Sequence, residues 1–241
     1  MIRLWRADLP NDLAEELSKK TVALTKAQAD GEAARKKWKN AKACKGRLRD
    51  QLGSMAAGVE RCMYCGDSMG TDVDHFEPIF LAPFRTFEWL NHLLACSHCN
   101  SHEKRESFPR TEEGAPLLID PTSEEPTEHL LLVLSTGAYE ALTTKGESVI
   151  EIFGLNRQSL VRGRRSAFVT SKAVLQTYLR QHEDGLLDEA AETATELDYQ
   201  PFADVRAAMR WTRQNVAPEN AEVILGGPVV VRALDLLPPF R

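Results

Sequence analysis

From Arg61 to Lys104 the chain reads RCMYC (61–65), GDSMGTDVDHFEP (66–78), IFLAPFRTFEWLNHLLA (79–95), CSHCNSHEK (96–104). Two Cys-x-x-Cys pairs, Cys62/Cys65 and Cys96/Cys99, bracket the rest. Each pair is a tight turn that offers two sulfurs, and four thiolates suit one tetrahedral zinc with no open position, hence a structural ion. A redox role is the alternative for a single pair; two pairs framing one segment favour metal. Thirty residues separate the hooks, more than in a common zinc finger, so a further structure is built between them. It contains Asp74-His75, a carboxylate beside an imidazole, which is equipment for metal-assisted hydrolysis. An unperturbed imidazole titrates near about 6.5, so His75 can be neutral and basic at pH 7. Its other reading is a histidine of the zinc site or of the core.

Outward from this segment, composition is that of an ordinary globular chain: 241 residues, 43% hydrophobic, 27% charged. No run approaches the roughly 18–20 apolar residues that span a bilayer, and the opening residues MIRLWRAD carry no apolar stretch of a secretion signal. Cysteines used in CxxC pairs point to metal in a reducing cytosol and not to disulfides; Cys44 is left as a free thiol. The net charge of −5 hides an uneven distribution. Residues 34–61 hold nine Lys/Arg against two acids. Arg157, Arg162, Arg164 and Arg165 form a second basic cluster, while acids gather at Glu124-Glu125 and from Glu183 to Asp204. A local basic surface is what phosphate binding requires.

Residues 11–30 read as a helix capped by Asn11, with Leu13, Leu17 and Leu24 on one face. A second helical run follows from 32 to 52, anchored by Trp38 and ended by Gly53. It is either a docking arm for a partner or for nucleic-acid backbone, or a solvated amphipathic hairpin packed on the body. Thr71 to Phe76 should form the first strand of a hairpin whose return runs to about Thr86, and Ser97 should cap a helix carrying Cys99, Asn100 and Lys104. Asn91 should shape the loop between hairpin and helix through backbone amides. Residues 109–126, with four prolines, read as loop. Short strands are expected at 117–121 and 129–134, helices at 148–153, 155–180, 186–197 and 203–214, and a late hairpin at 223–231 around Gly226-Gly227.

The ordered set of first CxxC, Asp74-His75-x-x-Pro78, Asn91, second CxxC followed by Asn100, and Lys104 resembles the HNH endonucleases, the ββα-metal family, in the subgroup pinned by a four-cysteine zinc. The resemblance covers about forty-five residues. It implies an α+β, mostly α chain in three parts: a helical arm (1–58), a ββα-metal core with a zinc knuckle (59–110) and a helical region (111–241). By resemblance, Asp74 and Asn100 bind a catalytic magnesium or manganese ion, His75 takes a proton from the attacking water, and Asn91 supports the loop. Many members carry a histidine ligand on the helix, which makes His102 a further candidate; with Asn100 where that ligand belongs, His102 is read as facing phosphate or solvent before it is read as a ligand. Lys104 and Arg105 are candidates for phosphate contact, although a solvated helix face would look the same. Asp72 either supports the metal site from behind or is a solvated edge acid.

The segment from Ile152 to Arg157 (IFGLNR) with Leu160 and Arg164 is similar to the tail of bacterial anti-phage HNH proteins of the Septu type, which work beside an ATPase. No Walker loop occurs here, so such an activity belongs to another chain. The expected function is thus DNA nicking by a partner-controlled effector in the cytoplasm. The alternatives are an RNase, for instance on tRNA, and a catalytically silent zinc module that binds nucleic acid or protein.

Overall fold

Apolar spacing gives the N-terminal helices their buried faces. In the computed structural model, which describes residues 1–238, α1 (Asn11–Lys26) buries Leu13, Leu17 and Leu24. Pro10, not Asn11, stands at its N-cap, and no side chain caps it. The second run is two helices, α2 (Gly31–Asn40) and α3 (Lys42–Gly53), divided at Ala41. The Asp30 carboxylate caps α2 by accepting from the Ala33 amide at 2.9 Å, the service expected of an acid at that position. Gly31, Ala34 and Trp38, at helical spacing, form the inward face of α2.

Strand β1 (Asp72–His75) pairs antiparallel with β2 (His92–Ala95), Asp74 opposite Leu93 and His75 opposite His92. The return strand therefore lies beyond Asn91 and not before Thr86. Residues 76–91 are spent on a loop with 3-10 turns at Pro83–Arg85 and Trp89–Asn91, and its Ile79 and Phe87 are buried against α1–α3. A π-helix, His98–Lys104, follows β2 and completes a ββα unit; Ser97 precedes it without a capping hydrogen bond.

Residues 117–120 form no strand, yet Leu118 and Ile119 are fully buried. A second hairpin, β3 (Leu130–Val133) with β4 (Ala138–Ala141), turns at Gly137. Helices α4 (Thr144–Ile152), α5 (Gln158–Glu183), α6 (Leu187–Tyr199), α7 (Ala203–Asn215), α8 (Pro218–Leu225) and α9 (Pro228–Leu236) complete the described chain. The expected late hairpin is thus a helix pair. Gly226 and Gly227 stand at φ +89° and +117° between α8 and α9, and Pro218 and Pro228 open the two helices. Burial of Leu225, Val230 and Leu234 overrides β-branched propensity there.

The result is mostly α with two small antiparallel sheets, as the expected fold class had it. Two apolar clusters hold it together. The larger joins the cysteine hooks and β2 to the C-terminal helices; the smaller joins α1–α3 to Ile79 and Phe87. Val73 and Trp89 pack against both. No helix among the described residues is long and apolar enough to cross a membrane.

Candidate metal centre and histidine site

Pairing of β1 with β2 brings the two hooks together. The Met63 amide donates to Leu94 O and the Thr71 amide to Ala95 O, while Gly66, at φ +68°, turns its amide back to Cys62 O. Few residues other than glycine adopt that conformation cheaply. The sulfurs of Cys62, Cys65, Cys96 and Cys99 are buried and all lie within 4.8 Å of one another. Cys65 and Cys96 are 3.9 Å apart at sulfur, close to the roughly 3.8 Å that a tetrahedron with 2.3 Å zinc–sulfur bonds requires. Hydrogen bonding, from Cys62 first, holds the Cys65 and Cys96 thiols below their ordinary range. The four cysteines form a zinc-type site, the one such grouping of His, Cys, Asp and Glu among the described residues.

Strand alternation sends the neighbours of β1 in opposite directions. Asp72 and Asp74 face the π-helix; His75 faces α2 and α3. The Asp74 carboxylate accepts from the Tyr64 hydroxyl at 2.5 Å and from Lys104 Nζ at 3.1 Å. Burial raises its pKa, against Lys104 and Tyr64, which pull it down. Lys104 also donates to His75 O at 2.6 Å and is fully buried. It is therefore an internal counter-ion and not the surface phosphate contact expected of it. Arg105 and His102 are exposed, and His102 lies in ring contact with His98, which pairs with Glu103 at 2.8 Å.

On the other face, His75 Nε2 and His92 Nε2 each lie 3.0 Å from Thr86 O. A carbonyl only accepts, so both rings carry their proton on Nε2. Trp38 meets the edge of His75 at 4.5 Å between centroids and stacks on His92 at 5.2 Å. Burial lowers His75 to about 4 and His92 well below the ordinary value, so both are neutral at pH 7. Sealed, unpaired side-chain atoms among the described residues include Nδ1 of His92 but not Nδ1 of His75.

Asn91 bonds backbone groups, but within the β1–β2 loop and not between hairpin and helix: its side chain accepts from the Glu77 amide at 2.8 Å and donates to Glu77 O and Arg85 O. Asn100 donates to Asp72 at 3.2 Å, away from the oxygens of Asp74 that Tyr64 and Lys104 hold. Asp74 and Asn100 thus do not present a joint open ligand set for a hard cation in this arrangement. Tyr64, Thr86, His92 and Trp38 complete the site and were not legible as its members. Thr86 acts through its backbone, which no side-chain pattern reveals; Trp38 comes from a helix that sequence leaves unattached.

Of the second basic cluster, Arg164 is buried on Asp204 and Arg157 hydrogen-bonds Phe153 O; only Arg162 and Arg165 are exposed. The IFGLNR segment has a packing role, with Phe153 stacked on Tyr64 at 4.0 Å and Asn156 bridging both backbone groups of Tyr139. Comparison with protein-family models, with curated proteins and with solved structures returns no match to this chain.

Proposed function

We propose that the chain is an endonuclease of the HNH type, a hydrolase of phosphodiester bonds in DNA, with His75 as its general base. One observation carries this reading. Thr86 O holds the proton of His75 on Nε2, so the lone pair is at Nδ1, and the neutral ring is the form that accepts a proton from water. His92 and Trp38 fix the plane of the ring. The low basicity of the buried ring is raised by the charge of an arriving phosphate. A divalent ion supplies charge neutralisation and stabilises the leaving oxygen in such chemistry; both Asp74 oxygens already carry donors.

The resemblance alone extends the reading to an anti-phage effector that acts with a separate ATPase chain and nicks one strand per site. RNA, tRNA included, is the second substrate class on the same chemistry. A silent zinc-bearing binding module is the competing reading. It is favoured by the mutual satisfaction of Asp74, Tyr64 and Lys104, and of Asp72 and Asn100.

Cleavage of supercoiled plasmid and of tRNA with magnesium or manganese, against EDTA, compares the wild type with His75→Ala. The wild type nicks plasmid, and the variant, with its zinc content unchanged, is slower by about 10²–10⁴-fold. Equal cleavage by both proteins removes His75 from catalysis. Inactivity on every substrate leaves the binding module as the better account.

A further inference from the structure

The outer face of α2 carries charge that the fold does not use. Arg35, Lys36 and Lys39 line a groove of about 400 Å³ with Gly31, Glu32 and Phe80. Arg35 pairs with Glu106 at the surface; Lys36 and Lys39 are exposed and enter no ion pair among the described residues. Phe80 is 63% exposed although it belongs to the loop that closes the second core. That exposure is built in. A Cβ added at Gly31 would lie 2.8 Å from the Phe80 ring and 2.9 Å from its Cα, so the helix start and the loop meet at a distance only glycine allows. Gly31, at the edge of the groove, shares the inward face of α2 with Trp38, and Trp38 touches the ring of the candidate base His75.

We infer that the α2 groove binds an unpaired nucleic-acid strand, its phosphates along Lys36 and Lys39 and one base stacked on Phe80. Lysines on one side track a polyanion, and an exposed aromatic ring at their edge offers a π-face that only an unstacked base can cover. A duplex uses the charges but leaves the ring bare. An acidic peptide likewise needs the lysines and gains little from stacking. The inference deepens the nuclease reading by placing the strand that leads to His75, and it rests on that reading only for the strand's fate after binding.

The test is fluorescence anisotropy with the full zinc-loaded chain and a labelled thymidine 20-mer, its duplex and a uridine 20-mer, without added magnesium or manganese. It is run on the wild type, Lys36→Gln/Lys39→Gln and Phe80→Ala, all of which should retain zinc. Single strands bind more tightly than duplex. The double lysine variant weakens binding by about tenfold near 0.1 M salt and lowers the log–log salt slope by about 1.4, at roughly 0.7 for each phosphate no longer neutralised. Phe80→Ala weakens single-strand binding at least about fivefold and duplex binding by less than twofold. Strand binding unchanged in both groove variants overturns the inference, as does a wild type that prefers duplex or is displaced as well by polyglutamate as by a single strand. Binding on this pattern with no cleavage in the plasmid assay would end the nuclease reading and leave the groove standing; cleavage that survives both groove variants at full rate, with binding unchanged, does the reverse.

Discussion

At residue scale, adjacent positions on one strand have received opposite environments. Asp74 is turned into a pocket with an ammonium and a phenol. His75 is turned against two rings and one carbonyl. The imidazole cannot ionise there without losing hydration, which is why burial lowers it to about 4. The unfolded chain titrates near about 6.5, so the native state binds fewer protons over the interval. The contribution of the neutral ring is whole above pH 6.5 and is lost as pH falls towards 4. A shift of that size corresponds to about 3 kcal/mol, at 1.36 kcal/mol per pKa unit. Urea denaturation of zinc-loaded wild type and His75→Phe at pH 7.5 and pH 4.5 checks it. The pH 4.5 loss should be larger in the wild type by about 2–3 kcal/mol, and acid weakening of the zinc site, common to both proteins, cancels. Equal losses would mean that the ring is hydrated when folded.

At the scale of elements, four-residue strands cannot hold a hairpin by themselves, and the ββα unit depends on the sulfur knot at its end. Thiolate repulsion in a buried cluster makes the knot unstable without a cation. Removal of metal by a strong chelator should therefore abolish the near-ultraviolet signal of Tyr64 and its surroundings, and one zinc per chain should restore it. A chelated protein that keeps this signal and its melting temperature would show that apolar burial alone suffices. This element was the part most legible in sequence, because ligand spacing is local chemistry. Cys62, Cys65, Cys96 and Cys99 come together as their spacing required, and Leu13, Leu17 and Leu24 face a core as periodicity required. The return strand was placed too early because His92–Ala95 is buried on both faces and shows no alternation. Residues 223–231 misled because their β-branched residues outweighed two prolines at helix-start positions. Lys104 was read as a surface cation because nothing local tells a buried counter-ion from a solvated one; its partner is thirty residues away.

At the scale of the whole molecule, one buried cation decides how the C-terminal region closes. Arg164 donates to Gly137 O in the second hairpin and to Leu155 O after α4, and its Nε lies 3.2 Å from Asp204 on α7. Its guanidinium also lies over the Tyr139 ring at 4.4 Å, and the Tyr139 hydroxyl donates to the same carboxylate at 2.6 Å. Burial pushes the Asp204 carboxyl up, but the Met1 ammonium and then Arg164 outweigh it and hold the group below its ordinary range. Both members of the pair are essentially without solvent, so removing Arg164 leaves the buried Asp204 with the Met1 ammonium as its one cation and takes the donor from Gly137 O and Leu155 O. Arg164→Met should then cost about 3–5 kcal/mol, whereas Arg35→Ala, which breaks an exposed pair with Glu106, should cost under about 1 kcal/mol. The measurement is the urea midpoint of the zinc-loaded proteins at unchanged m-value. It also separates two meanings of the basic cluster. If Arg164 served phosphate, its loss would weaken strand binding at little cost in stability. A clamp loses stability, and strand binding by the protein that stays folded is unchanged. A midpoint within about 1 kcal/mol of the wild type would remove Arg164 as the closure of the fold.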